Sequence, residues 1–131
     1  MIELLFALAA ADPSADPATV CPQIERRPVA RYADFPEIIR RFKGKLGKRD
    51  VEWNSTDVIH VRDPRPLNRY IAGGEMGGGR WLLVYESGGR MVFKHVEIWE
   101  IARDGRVARP ASATSGSLDI ACAEVAEQLA R

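Results

Sequence analysis

The sequence predicts an α+β fold: an N-terminal helix, a five-stranded antiparallel meander and a C-terminal helix. Three observations carry this. Apolar residues recur at helical spacing in two places, residues 35–46 and 118–129. Between them lie runs rich in β-branched and aromatic residues. Glycine and proline turn signals separate those runs.

The first helix is expected over Phe35–Leu46. Phe35, Ile38, Ile39, Phe42 and Leu46 form one apolar stripe. Asp34 is placed to cap it, Glu37 completes a capping-box pattern, and Pro36 suits the first turn. Gly47 is the expected stop.

The meander is expected to begin with a strand over Thr56–Arg62, turned by Asp63-Pro64-Arg65-Pro66. Leu67–Ala72 makes the second strand, and Gly73–Gly79 reads as a long glycine loop. Arg80–Ser87 is apolar on both faces and is expected in the middle of the sheet. Gly88-Gly89 reads as a two-residue turn into a long strand over Arg90–Arg103. That turn would set Tyr85 opposite Val92, Trp81 opposite Val96 and Arg80 opposite Glu97. Asp104-Gly105 is a second two-residue turn signal, followed by a short strand over Arg106–Pro110.

Ala111–Gly116 reads as a small-residue linker. Ser117 then caps the last helix, whose stripe is Leu118, Ala121, Cys122, Val125 and Leu129. A curved sheet wrapping the first helix, as in cystatin-like rolls, is one arrangement that this element order allows. Such an arrangement would not by itself set a function.

At 131 residues the chain has enough sequence for one core, expected over residues 21–131. Hydrophobic residues are 46% and charged residues 28%, which excludes disorder along the whole length. The apolar run Leu4–Ala11 is too short to span a bilayer but fits the core of a secretory signal, so residues 1–11 read as a signal peptide. Its basic front end is missing, which a true start upstream of Met1 would explain. The alternative is a short helix docked on the core. Residues 12–20 hold two Asp-Pro pairs and read as a flexible leader. The expected location is therefore periplasmic or secreted.

In an oxidising compartment Cys21 and Cys122 are expected to form a disulfide. Closing a loop of about 100 residues stabilises a fold by about 4.7 kcal/mol in the chain-entropy model.

The charges number 19 basic and 18 acidic, but they are unevenly spread. Residues 26–49 carry nine basic side chains against Asp34 and Glu37. That segment could meet an anionic surface, with Arg40, Arg41 and Lys45 as its expected contacts. A solvated helix face would have the same composition. The near-neutral total, and export, argue against nucleic acid. Glu75 and Met76, in the expected glycine loop, form a second candidate contact for a ligand or partner.

Catalytic signatures are sparse. His95 and Glu97 share one strand face, and His60 lies near Asp57 on another strand. Those three could bind a metal or act as acid and base. The simpler reading is structural, with His95 packed against Leu82 and Phe93 and Glu97 paired with Arg80. No Gly-x-Ser-x-Gly pattern, zinc-deaminase motif or phosphate loop is present. No cofactor is expected. The leading expectation is a small exported binding or interaction protein without a catalytic centre. The alternatives are a hydrolase using His60, His95 and Glu97, and a periplasmic assembly factor whose partner takes the sheet edge.

Overall fold

The computed structural model describes residues 20–49, 51–55 and 65–131. Within them one antiparallel sheet holds β1 (Arg27–Pro28), β2 (Asn68–Gly77), β3 (Arg80–Ser87), β4 (Phe93–Ile101) and β5 (Val107–Ser115), in that spatial order. Two α-helices accompany it, α1 (Glu37–Lys43) and α2 (Leu118–Ala130), with a 3-10 turn at Tyr32–Asp34. The α+β class and the antiparallel sheet match expectation. The strand expected over Thr56–Arg62 lies outside the described residues. Among the described residues the fifth strand is β1, a two-residue pairing of Arg27 and Pro28 with Glu75 and Gly74.

Strand alternation divides the core into two layers. On one face Ala72, Leu82, Val84, Val96, Ile98, Ala111 and Ala113 pack against Ala121, Cys122 and Val125 of α2 and against Cys21 and Ile24. On the other face Tyr70, Leu83, Tyr85 and Trp99 pack against Phe35 and Ile39. The two helices therefore cover opposite faces. Burial on both sides explains why Leu82–Tyr85 is a continuous apolar run.

The disulfide Cys21–Cys122 is formed, with the Cα atoms 5.5 Å apart. It fastens the start of the described chain to α2. Ser117 caps α2, its side chain accepting from the Ile120 amide at 3.4 Å. That helix is as expected.

The first helix is shorter than its stripe suggests. It has seven residues, an N-cap at Pro36 without a side-chain bond, and an end at Gly44 rather than Gly47. Asp34 does not cap it. Its carboxylate instead accepts from Arg31 at 3.0 Å and closes the 3-10 turn. Leu46 still reaches the core, but from the loop that follows α1.

The Gly73–Gly79 loop is also corrected. Residues up to Gly77 belong to β2, and Gly77 pairs with Arg80. Only Gly78 and Gly79 turn, with φ of 64° and 80°, the positive values that a two-residue type I′ hairpin demands. Gly74 is needed for a different reason. A Cβ there would lie 1.9 Å from the Arg27 carbonyl oxygen, so glycine lets β1 approach.

The β3–β4 register is three residues from the expected one. Ser87 pairs with Phe93, Tyr85 with His95, Trp81 with Trp99 and Arg80 with Glu100. The connection is Gly88–Val92, and β4 is shorter than Arg90–Arg103. A backbone contact explains the difference: Gly89 donates its amide to the Ser55 carbonyl at 3.0 Å, so these glycines hold a neighbouring segment. The odd slip exchanges faces. Tyr85 and Trp81 share their layer with His95, Glu97 and Trp99, while Val96 lies on the other side.

At the next hairpin Ala102 donates to Arg106 at 2.8 Å and Gly105 to Ala102 at 2.9 Å, giving a three-residue loop over Arg103–Gly105. The following strand does not stop at Pro110. It runs to Ser115, absorbing most of the expected linker, because Ala111 and Ala113 let α2 lie close to the sheet. The register shifts between Ile98 and Glu100, leaving Arg109 and Pro110 in a bulge on an edge strand, where a residue without an amide hydrogen is tolerated.

Candidate functional site: a basic cleft beside a buried ionic network

The 3-10 turn, α1 and the loop after α1 enclose a cleft of about 760 Å³. This is within the size range of small-molecule sites. Tyr70 of β2 also lines it. Its phenol donates to the Val29 carbonyl at 2.7 Å, and burial pushes its pKa up. The loop is fixed to β2 by Gly47, which donates to Asn68 O at 3.1 Å and accepts from the Tyr70 amide at 2.9 Å. The Tyr32 hydroxyl donates to the Gly44 carbonyl at 2.7 Å, tying the 3-10 turn to the end of α1. Burial raises the Tyr32 pKa to about 12.

Six basic side chains line the cleft: Arg31, Arg40, Arg41, Lys45, Lys48 and Arg49. Glu37 is the single carboxylate among the lining residues. Arg41 pairs with Glu37 at 2.9 Å and Arg31 with Asp34 at 3.0 Å, both at exposed sites. Arg40 Nε donates to the Phe35 carbonyl at 3.0 Å, which orients the guanidinium. All three basic residues expected at a contact, Arg40, Arg41 and Lys45, come together here. A single helix face does not do this. The helix ends at Gly44, and Lys45 lines the cleft from the loop that follows.

Behind the cleft lies an ionic network centred on Glu97, which is 4% exposed. Its carboxylate accepts from Tyr85 Oη at 3.0 Å, Trp99 Nε1 at 2.9 Å, Arg109 Nη1 at 3.1 Å and Lys43 Nζ at 3.3 Å. Lys43 also bonds the Tyr85 hydroxyl and sits 3.9 Å from the centre of that ring. Burial lowers the Lys43 pKa, an effect opposed by Glu97. Burial, reinforced by Glu97, raises that of Tyr85. Lys43 is the last residue of α1, so this network fastens the cleft helix to the sheet.

His95 stacks on Tyr85 with ring centroids 4.5 Å apart. Its Nε2 lies 2.6 Å from Ser87 Oγ and its Nδ1 2.9 Å from Thr114 Oγ1. Burial lowers its pKa, and Lys43 acts in the same direction against Glu97. His95 and Glu97 do share a face, but each is bonded to different partners. His60 lies outside the described residues. No group of three His, Cys, Asp or Glu among the described residues is placed to hold a metal ion.

Glu75 and Met76 stand in β2 rather than in a loop. Glu75 pairs with Arg27, and Met76 packs against the α2 side of the core. The sheet edges are occupied along part of their length. Arg27–Val29 and Gly47 bond to the outer side of β2. On β5, Gln128 takes both backbone groups of Ser112.

Sequence reasoning missed Lys43, Tyr85 and Arg109 as a unit. No local signal could have joined them, because they lie on α1, β3 and β5. No family model, curated protein or solved structure matches this chain. No helix among the described residues is long and apolar enough to cross a membrane.

Proposed function

We propose that this protein is a small exported binding module and that the cleft beside α1 takes an anionic group. The observation that carries this is the gathering of six basic side chains around one concave surface with a single acidic one. Arginine and lysine donors converging on a cleft match phosphate or carboxylate oxygens in charge and geometry. The Cys21–Cys122 bridge supports export, since such bonds persist in oxidising compartments. The apolar run Leu4–Ala11 supports it as well. A partner on the sheet edge is less favoured, given the groups that already bond to both edges.

Titration calorimetry at low ionic strength with inorganic pyrophosphate and with a short acidic peptide tests this function. Binding to at least one anion is expected, and it should be lost in the Arg40→Gln/Lys45→Gln double variant. Equal heats for the two proteins with every anion would refute an anion site in this cleft.

One observation favours a second function, acid–base hydrolysis: the 2.6 Å contact between Ser87 and His95. Ester turnover that disappears in His95→Gln would establish it. Turnover that persists in this variant would remove it.

A further inference from the structure

We propose that the anionic partner of this cleft is presented by a phospholipid bilayer, with Phe42 of α1 as an apolar anchor among the headgroups. This rests on the anion-binding function proposed above and names the partner. The added observation is Phe42 itself. It is 66% exposed, more than any other large hydrophobic residue in the described structure. It also stands on the same seven-residue helix that supplies Arg40 and Arg41 to the cleft.

An aromatic ring facing water in the last turn of a helix does little packing work in the free protein. The buried contacts of α1 are made by Ile39, with Phe35 just before it. Arg41 and Lys45, one and three residues from Phe42, are both exposed. An exposed aromatic ring among exposed cations suits the boundary between headgroups and acyl chains, where the ring leaves water and the cations stay with phosphates. Lysine and arginine side chains extend their apolar stems in the same setting. Lys48 and Arg49 continue the positive surface along the cleft. A small soluble anion would use the cations but would leave Phe42 unexplained. The charge distribution agrees: residues 26–49 are strongly basic in a chain whose total is only +1, so one side meets an anionic surface without general attraction from the rest.

The test is cosedimentation of the full chain with vesicles of phosphatidylcholine, alone or mixed with phosphatidylglycerol, at low and high salt. Binding is expected only when phosphatidylglycerol is present, and it should fall as salt rises. Phe42→Ser should lower the partition coefficient about five- to tenfold with an unchanged melting temperature. Arg41→Gln/Lys45→Gln should remove the dependence on phosphatidylglycerol. Indifference to lipid charge, or Phe42→Ser binding as tightly as the parent, would overturn the bilayer proposal. Capture of pyrophosphate or acidic peptide without vesicle binding would also overturn it while leaving the anion cleft intact. If neither soluble anions nor vesicles bind, both proposals fail.

Discussion

Gln128 stands in for a missing sixth strand at Ser112. Its amide nitrogen donates to the Ser112 carbonyl at 2.8 Å, and its amide oxygen accepts from the Ser112 N–H at 3.0 Å. Both outward-facing backbone groups of this edge residue are therefore satisfied by a side chain of α2. Pro110, two residues earlier, supplies no amide hydrogen. An edge treated in this way is a poor template for another chain.

Gln128→Ala is expected to cost about 1–2 kcal/mol, from two hydrogen bonds in a half-buried setting. Hydrogen exchange should locate the effect, with the Ser112 amide losing protection while the β3 amides keep theirs. Unchanged protection at Ser112 would show that the amide contact is dispensable.

Glu97→Ala is expected to be severe. Lys43 is 14% exposed at its side chain and would lose its carboxylate. Removing one member of a buried ion pair costs about 3–5 kcal/mol. Because Lys43 ends α1, anion binding at the cleft should weaken together with stability. Urea denaturation and calorimetry on the same variant check both effects. A cost below about 1 kcal/mol, typical of surface pairs, would mean that the network is not structurally important.

The lowered pKa of His95 fixes a direction for the pH dependence. Burial is the main cause, so the folded protein binds a proton here less readily than the unfolded chain. The His95 contribution is complete above the ordinary histidine value of about 6.5 and is lost as pH falls through it toward the folded pKa. The melting temperature should therefore drop in mildly acidic buffer. His95→Gln should reduce that slope, and an identical slope in the variant would assign the dependence to other groups.

The disulfide closes a loop with a sequence separation of 101 residues. Replacing both cysteines by serine is expected to cost about 2–5 kcal/mol. Denaturation with and without reductant measures this directly. Reductant should shift the parent protein and leave the double variant unmoved.

Gly74→Ala should detach β1, because its Cβ would collide with the Arg27 carbonyl oxygen at 1.9 Å. The expected readout is faster exchange of the Val29 amide, which donates to Gly73 O at 3.0 Å at this same edge. Retained protection there would show that the backbone can shift to accept the methyl group.

Local chemistry explains which parts were legible in the sequence. The α2 stripe, its Ser117 cap and the inward direction of Cys122 depend on nearby residues, and all three hold. Arg40, Arg41 and Lys45 line one cleft, and charge density picks them out without tertiary information. The misread parts are those where small residues serve a distant neighbour. Gly74 makes room for β1, Gly88 and Gly89 hold Ser55, and Ala111 and Ala113 admit α2. Each looks like a loop when only its own segment is considered. The Lys43–Tyr85–Glu97–Arg109 network was hidden because a three-residue slip in one hairpin placed Glu97 opposite the wrong strand position.

The neighbour-to-neighbour order of β2, β3, β4 and β5 has a kinetic consequence. Each of these strands pairs with the next along the chain, so their loops close over short distances and are expected to form early. The segment that builds the cleft packs on residues much farther along the chain, Phe35 and Ile39 against Leu83, Tyr85 and Trp99, so its contacts close longer loops. It should be the last part to assemble and the first to open in the native state. The surface proposed to meet a partner is thus also the one whose order a partner would most increase.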